Sequence, residues 1–101
     1  MTDKDLYCGL IRLHILHHAA KESVFGLGLI EELRHHGYEM SPGTLYPMLH
    51  GLEKKGYLSS HSERTGRRGR RVYDITEAGR GALINARTKV RELFGELIEG
   101  H

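Results

Sequence analysis

The amino-acid sequence predicts a mainly α-helical fold with one small β-hairpin, and three observations support this prediction. Apolar residues recur at helical spacing in four stretches of the chain. Two short stretches, residues 57–64 and 70–76, alternate like strands and flank a turn containing Gly66 and Gly69. Gly37 ends one helical stretch and Ser41 begins the next four residues later, which is the spacing of a helix-turn-helix.

The first two helices are predicted over residues 4–20 and 25–36. Leu29, Ile30 and Leu33 should face the core from the second helix. Its early glycines, Gly26 and Gly28, are poor helix formers, so the helix either starts irregularly or packs closely against a neighbour. Gly37 suits a left-handed C-cap.

The third helix should begin with Ser41 as its cap and Pro42 in its first turn, and should end at Gly56. One face of this helix is apolar and should be buried: Leu45, Met48, Leu49 and Leu52. In the following hairpin, Tyr73 and Ile75 should point inward. Thr76 should then cap a final helix that runs to about Glu99.

Length and composition limit the classes of protein to consider. The 101 residues suit a single domain, in which residues 1–76 form a winged helix-turn-helix and residues 77–101 a C-terminal dimerisation helix of the same compact unit. The single cysteine, Cys8, excludes an internal disulfide framework and is typical of a reducing compartment. No apolar run approaches the ~18 residues of a membrane span, and the first residues do not resemble a signal peptide. We therefore expect a cytoplasmic protein with no membrane partner.

Positive charge is concentrated at one place, although the formal net charge is only +2. Five of the fifteen Lys and Arg residues lie within residues 64–71, and no acidic residue falls within residues 65–72. Such a run can be a solvated loop, but its concentration on a hairpin tip favours phosphate binding. The arginines concerned are Arg64, Arg67, Arg68, Arg70 and Arg71. Arg70 and Arg71 alternate in direction, so only one of them should face a bound duplex.

The outward face of the third helix is small, polar and aromatic. Pro47 lies inside this helix, where it removes the hydrogen bond to the carbonyl of Gly43 at a cost of about 3 kcal/mol, and such violations often mark functional sites. A slim helix end followed by a basic hairpin is typical of a winged helix-turn-helix that binds duplex DNA. Alternatively, Pro47 only kinks a packing helix and Tyr46 is a half-buried packing residue. With the arginines, the candidate DNA-binding residues are Ser41, Gly43, Thr44, Tyr46, Pro47 and His50.

The last helix is longer than one small domain can cover, and its apolar stripe continues towards its end. Its distal half should therefore pack on the first helix of a second copy, unless it folds back on its own core. A two-fold dimer would hold two recognition helices about 34 Å apart and would read a palindromic site. The predicted dimerisation residues are Leu6, Leu10, Leu13, Val90, Leu93, Phe94, Leu97 and Ile98.

Residues 41–58 (SPGTLYPMLHGLEKKGYL) and 71–79 (RVYDITEAG) closely resemble the PadR-like transcriptional regulators, and the resemblance extends from Leu6 to about Leu97. It implies a dimeric winged-helix protein, usually a repressor of a nearby operon, which often responds to phenolic acids, drugs or other small hydrophobic compounds. Thr44, Tyr46 and Pro47 match DNA-facing positions of the family, and the arginine-rich hairpin matches its wing. In members with a single C-terminal helix, that helix and the first helix form the dimer.

Two departures from the family pattern bear on ligands. The second helix commonly opens with a Tyr-Gly-Tyr-like segment, whereas this chain has Phe25-Gly26-Leu27 and so lacks those tyrosine hydroxyls for phosphate contact. Some drug-binding members stack ligands on a central tryptophan, and this chain has no tryptophan. The resemblance therefore leaves the effector open.

Other chemistry receives less support from the sequence. His14 and His18 share a face of the first helix and are candidate metal ligands, but no Cys-rich or Asp-rich partner segment accompanies them, so we predict no metal and no cofactor. A lone Cys8 is more often a packing residue than a redox sensor. No catalytic constellation is present, so we expect no enzyme. The alternatives to a DNA-binding repressor are a protein-interaction module for an acidic partner and a metal- or redox-responsive regulator of the same fold.

Overall fold

A computed structural model describes residues 3–65 and 68–100, and within them the predicted mainly α-helical fold with its hairpin is confirmed. The helix-turn-helix and the final helix lie where the sequence predicts them, except that the last helix ends two residues before Glu99. In chain order the elements are α1 (Lys4–Lys21), β1 (Val24–Phe25), α2 (Gly26–His35), α3 (Pro42–Lys54), β2 (Leu58–Thr65), β3 (Arg68–Ile75) and α4 (Glu77–Leu97).

A short third strand, β1, is absent from the sequence prediction. Phe25 was expected to start the second helix, but its backbone is extended and Val24 and Phe25 pair antiparallel with Tyr73 and Val72. The sheet order is therefore β1-β3-β2. A strand of two residues is too short to show alternation, so only its β-branched and aromatic composition could have indicated it.

The hairpin is longer at its tip than expected. Its register runs from Leu58 opposite Ile75 to Thr65 opposite Arg68. Gly69, predicted as a turn residue, lies within β3 opposite Arg64 because pairing continues past it. The other predicted turn residue, Gly66, lies outside the described residues.

The core lies where α1, α2 and α3 meet the inner face of the sheet. The apolar faces predicted for α2 and α3 are buried, and from the hairpin Leu58 and Tyr73 are buried while Ile75 packs against them. Burial raises the pKa of Tyr73, with the nearby carboxylate of Glu53 acting in the same direction. Cys8 is partly buried against this core.

Two glycine caps fix the ends of α2 and α3. Gly37 has φ +89° and Gly56 has φ +86°, so both adopt the left-handed conformation expected of a C-cap. At the first cap, the Tyr38 N–H donates to the Leu33 carbonyl at 2.8 Å; at the second, the Tyr57 N–H donates to the equivalent carbonyl of α3 at 2.9 Å. These bonds hold the segments that follow the two helices in place.

The starts of α3 and α4 are capped differently. Pro42 occupies the first turn of α3 as predicted, but the Ser41 side chain makes no capping bond to the backbone. The Thr76 hydroxyl does cap α4, because it accepts a hydrogen bond from the Gly79 N–H at 3.0 Å. It also donates to the Gly56 carbonyl at 2.5 Å, which joins the start of α4 to the end of α3.

Across residues 3–65 and 68–100, no helix has both the length and the apolar character needed to cross a membrane.

Candidate nucleic-acid interface

The outward face of α3 carries the predicted DNA-contact residues. Ser41, Gly43, Pro47 and His50 are exposed, and Thr44 is half-buried. The hydroxyls of Ser41 and Thr44 lie 3.2 Å apart and hydrogen bond to each other instead of capping the helix. The first turn of α3 therefore presents two hydroxyls and little side-chain bulk.

Tyr46 both contacts the fold and faces outward. Its side chain is 37% exposed, yet its ring lies against Gly26, where an added Cβ would come within 2.8 Å of the ring carbon Cζ and still closer to the hydroxyl. The close packing considered for Gly26 is thus observed, with Tyr46 as the neighbour. The sequence allowed two interpretations of Tyr46, a half-buried packing residue or an outward-facing one, and each describes part of this side chain.

Pro47 interrupts no element, since α3 continues on both sides of it. Its ring is exposed, whereas Leu45 and Met48 beside it are buried. The proline therefore lies on the outward face and adds nothing to the buried one.

The arginines of the hairpin point in two directions. The Arg70 guanidinium lies over the Phe25 ring, 3.9 Å from its centroid, and 3.3 Å from a Glu63 carboxylate oxygen. Arg71 points to the other face, where its guanidinium donates to the Ser60 hydroxyl at 2.9 Å. Arg64 is exposed. Arg67 and the side chain of Arg68 lie outside the described residues.

Arg71 is linked to α3 through a chain of hydrogen bonds. The Ser60 hydroxyl that accepts from Arg71 donates in turn to a Glu53 carboxylate oxygen at 2.6 Å. Glu53 belongs to the last turn of α3. This network, which sequence reasoning did not identify, places a wing arginine on the α3 side of the sheet.

A second polar junction, also unidentified from the sequence, connects Asp74 of β3 to β2 and to the residue that precedes β1. One Asp74 oxygen accepts from the Ser23 hydroxyl and the other lies 3.3 Å from His61 Nδ1. In a catalytic triad the histidine lies between the serine and the carboxylate. Here the carboxylate lies between the other two, so the junction has the geometry of a structural contact.

An apolar groove lies between α1 and α4. Its volume is about 710 Å³, and its lining includes Leu10, Leu13, Val90 and Phe94. Of the eight predicted dimerisation residues, seven are exposed and Leu13 is half-buried. In α4 itself only Gly79 is buried, so most of this long helix is uncovered in the single chain.

Three histidines from two elements come together beside this groove. His14 and His18 of α1 meet His36, the C-cap residue of α2, and each offers a ring nitrogen within 4.8 Å of the others. Burial lowers the pKa of His14, and the neighbouring imidazole of His36 adds to this. Burial also lowers the pKa of His18, although the Glu32 carboxylate opposes the shift. Sequence reasoning paired His14 with His18 but missed His36, because the turn that brings it back is a tertiary feature.

A helix-turn-helix followed by an antiparallel hairpin defines the class of winged helix-turn-helix proteins. Residues 15–85 match the Transcriptional regulator PadR-like family, and the chain belongs to this family. The family comprises transcriptional regulators.

Individual relatives agree with this assignment. The chain is 52% identical over 90 residues to the transcriptional regulator Rv3488 of Mycobacterium tuberculosis, covering 89% of this chain and 84% of that protein. It is 33% identical over 79 residues to the transcriptional activator GvpE of Haloferax mediterranei, covering 77% of this chain but 39% of GvpE. A crystal structure of a PadR family regulator from Eggerthella lenta superposes with a TM-score of 0.81 at 28% identity, over 96% of this chain and 88% of that one.

Proposed function

We propose that this chain acts as a homodimer that binds palindromic duplex DNA sequence-specifically and represses transcription until a small-molecule effector releases it. The first turn of α3 would enter the major groove, and the wing would contact the flanking backbone. The main support for this proposal is the outward face of α3 around Gly43. This face has little side-chain bulk, although packing within the fold does not require a glycine there.

Packing within the chain does not require a glycine at position 43. An added Cβ there would have the Ser41 hydroxyl 3.9 Å away, which is an ordinary contact distance. At Gly26, by contrast, an added Cβ would overlap Tyr46. A glycine that costs helix stability without relieving a clash suits a position approached closely by another molecule. The hydroxyls of Ser41 and Thr44 beside it are suited to phosphate oxygens or base edges.

The wing supplies the charge for the phosphate backbone. Arg71 lies on the α3 side of the sheet, held there by Ser60 and Glu53. Arg70 lies on the opposite side over Phe25. We therefore assign the DNA-facing role to Arg71, together with Arg64 and the predicted tip arginines Arg67 and Arg68, and a sheet-stabilising role to Arg70.

A second copy of the chain is the proposed occupant of the α1–α4 groove. Leu97 and Phe94 are 72% and 51% exposed, which is unusual for apolar side chains on one stripe of a long helix. An isologous contact would place α4 of each chain against α1 of its partner. The effector would release DNA by favouring a dimer state with another spacing of the wings, for which a differential affinity of a few kcal/mol is sufficient.

Salt-titrated fluorescence anisotropy tests the DNA assignment. The chain should bind DNA from upstream of its own gene roughly a thousandfold more tightly than a scrambled duplex. Thr44→Ala and Tyr46→Phe should reduce this discrimination, whereas Arg71→Ala should weaken binding to both duplexes and make the salt dependence shallower. The matched control is Arg70→Ala, which should change DNA affinity less than Arg71→Ala.

Equal and steeply salt-dependent binding to both duplexes would contradict the proposal. It would favour the rival function, a protein-interaction module in which the same basic surface binds an acidic partner. An acidic protein has no base sequence to be read, so discrimination between duplexes separates the two functions.

A further inference from the structure

The three-histidine cluster has the composition and placement of a metal site. The rings of His14 and His36 stack with centroids 4.6 Å apart, and His18 lies 5.6 Å from His36 and 6.3 Å from His14. Neutral imidazoles are common ligands of zinc and of the neighbouring transition metals. The cluster thus assembles three such ligands around one point.

The backbone positions these ligands firmly. His14 and His18 are one turn apart in the interior of α1 and are half-buried. His36 is the last residue before Gly37, and the glycine cap fixes its place through the 2.8 Å bond from the Tyr38 N–H to Leu33. The cluster is therefore held by the interior of α1 and the capped end of α2 and not by a loose surface segment.

One nitrogen of the cluster is left unsatisfied. His18 Nε2 is buried and has no hydrogen-bond partner among the described residues. The nearest carboxylate oxygen, on Glu32, is 3.9 Å away, which is too far for a hydrogen bond. Leaving a buried polar atom unpaired is unfavourable, and a bound ion would remove that cost.

We infer that His14, His18 and His36 bind a divalent transition-metal ion of the zinc class, with the Glu32 carboxylate or a water molecule as the fourth ligand. Zinc–nitrogen bonds of about 2.0–2.1 Å require the ring nitrogens to draw closer than they are now, by side-chain rotation of about 1 Å or slightly more. His36 is exposed, so an ion has a route of entry from solvent.

A bound ion would connect the two functional surfaces of the molecule. His14 also lines the α1–α4 groove, while His36 lies in the turn that leads into α3. An ion shared by both would fix the recognition helix relative to the dimer surface. The effector of this regulator would then be the metal ion itself. This consequence, unlike the site itself, depends on the proposed function.

Metal binding is tested on the full, untagged chain after removal of bound metal with a chelator. Titration with Zn²⁺ against a chromophoric chelator should show one tight site per chain, and Co²⁺ should give the visible absorption of a tetrahedral complex. His36→Gln and His14→Gln should each weaken Zn²⁺ binding by about a hundredfold or more, since even outer ligands of metal sites are worth 10–100-fold.

The matched control is His35→Gln, because His35 is an exposed neighbour of His36 outside the cluster. It should bind Zn²⁺ like the parent, and Zn²⁺ should raise the thermal midpoint of both but not that of His36→Gln. An unchanged midpoint of the metal-free variants shows that they fold. Absence of a tight site in the parent, or equal losses in His35→Gln and His36→Gln, would overturn the inference and leave the cluster as stacked histidines only.

The regulatory consequence is read separately by DNA anisotropy with and without Zn²⁺. Saturating Zn²⁺ should change the affinity of the parent for its upstream DNA by about fivefold or more, with no change in His36→Gln. Identical affinities in a parent that does bind Zn²⁺ would overturn the coupling. If neither state discriminates between duplexes, the proposed function fails, while the Zn²⁺ titration still decides on the site.

Discussion

At the scale of single residues, Gly79 shows how a motif glycine can serve packing alone. An added Cβ would overlap the Tyr57 carbonyl oxygen and would lie 2.8 Å from Ile75 Cγ1. That carbonyl also accepts the Thr76 N–H at 3.0 Å, so it cannot move without breaking the start of α4. Its neighbour Gly81 has no heavy atom within 4 Å of the same position.

We therefore expect opposite effects from two alanine substitutions in one helix turn. Gly79→Ala should lower the free energy of unfolding by about 1–3 kcal/mol through overpacking. Gly81→Ala should raise it by up to ~1 kcal/mol, because alanine is the better helix former. Urea unfolding followed by circular dichroism measures both values. Similar changes in the two variants would show that the Tyr57 contact does not restrict position 79.

Gly43 is the residue at which stability and binding should separate. Because the space around it is open, Gly43→Ala should leave the free energy of unfolding unchanged or raise it by a few tenths of a kcal/mol. The added methyl group would nevertheless lie on the surface proposed to approach DNA. We expect about tenfold weaker specific binding, equivalent to ~1.4 kcal/mol. Wild-type affinity in a variant of normal stability would mean that this turn of α3 is not at the interface.

At the scale of secondary-structure elements, periodicity predicted the helices and the hairpin well because each of these elements buries one face. β1 was missed because a strand of two residues is too short to show a periodic pattern. Its pairing partner also lies nearly 50 residues away, in β3. The outward face of α3 was predictable as the complement of its buried face. The place of His36 in the histidine cluster and the link from Arg71 to Glu53 were not predictable, since both depend on how separate elements pack.

α4 carries the prediction that belongs to this scale. Its residue Phe94 lines the groove with α1, whereas Ile84, which is 63% exposed on the same helix, does not. Phe94→Glu should place a charge in the proposed dimer interface and convert the protein to monomers at micromolar concentration. Ile84→Glu should leave the dimer intact. Sedimentation velocity distinguishes the two, and dimers that persist in Phe94→Glu would place the interface elsewhere.

At the scale of the whole molecule, the chain is elongated, 54 Å in its longest dimension, and most of α4 is uncovered, which suits the proposed dimer. The fold joins α4 directly to the end of α3 through Thr76 and Gly56. In the proposed dimer, this connection would pass the geometry of the dimer surface on to the recognition helix. The spacing of the two DNA half-sites should therefore be fixed by the protein.

Changing that spacing in the operator tests the rigid dimer. In a two-fold complex the half-site centres lie about 10 bp apart, so an insertion of ~5 bp moves one half-site to the far side of the duplex. Affinity should fall to that of a single half-site. The salt slope should become shallower, from about −6 for roughly seven phosphate contacts to about −3.

A 10 bp insertion returns the two half-sites to the same side of the duplex but leaves them farther apart. A rigid dimer should therefore regain little affinity, whereas two flexibly linked DNA-binding units should regain most of it. Anisotropy titrations at several salt concentrations provide both quantities, and an affinity insensitive to either insertion would mean that the two recognition helices bind independently.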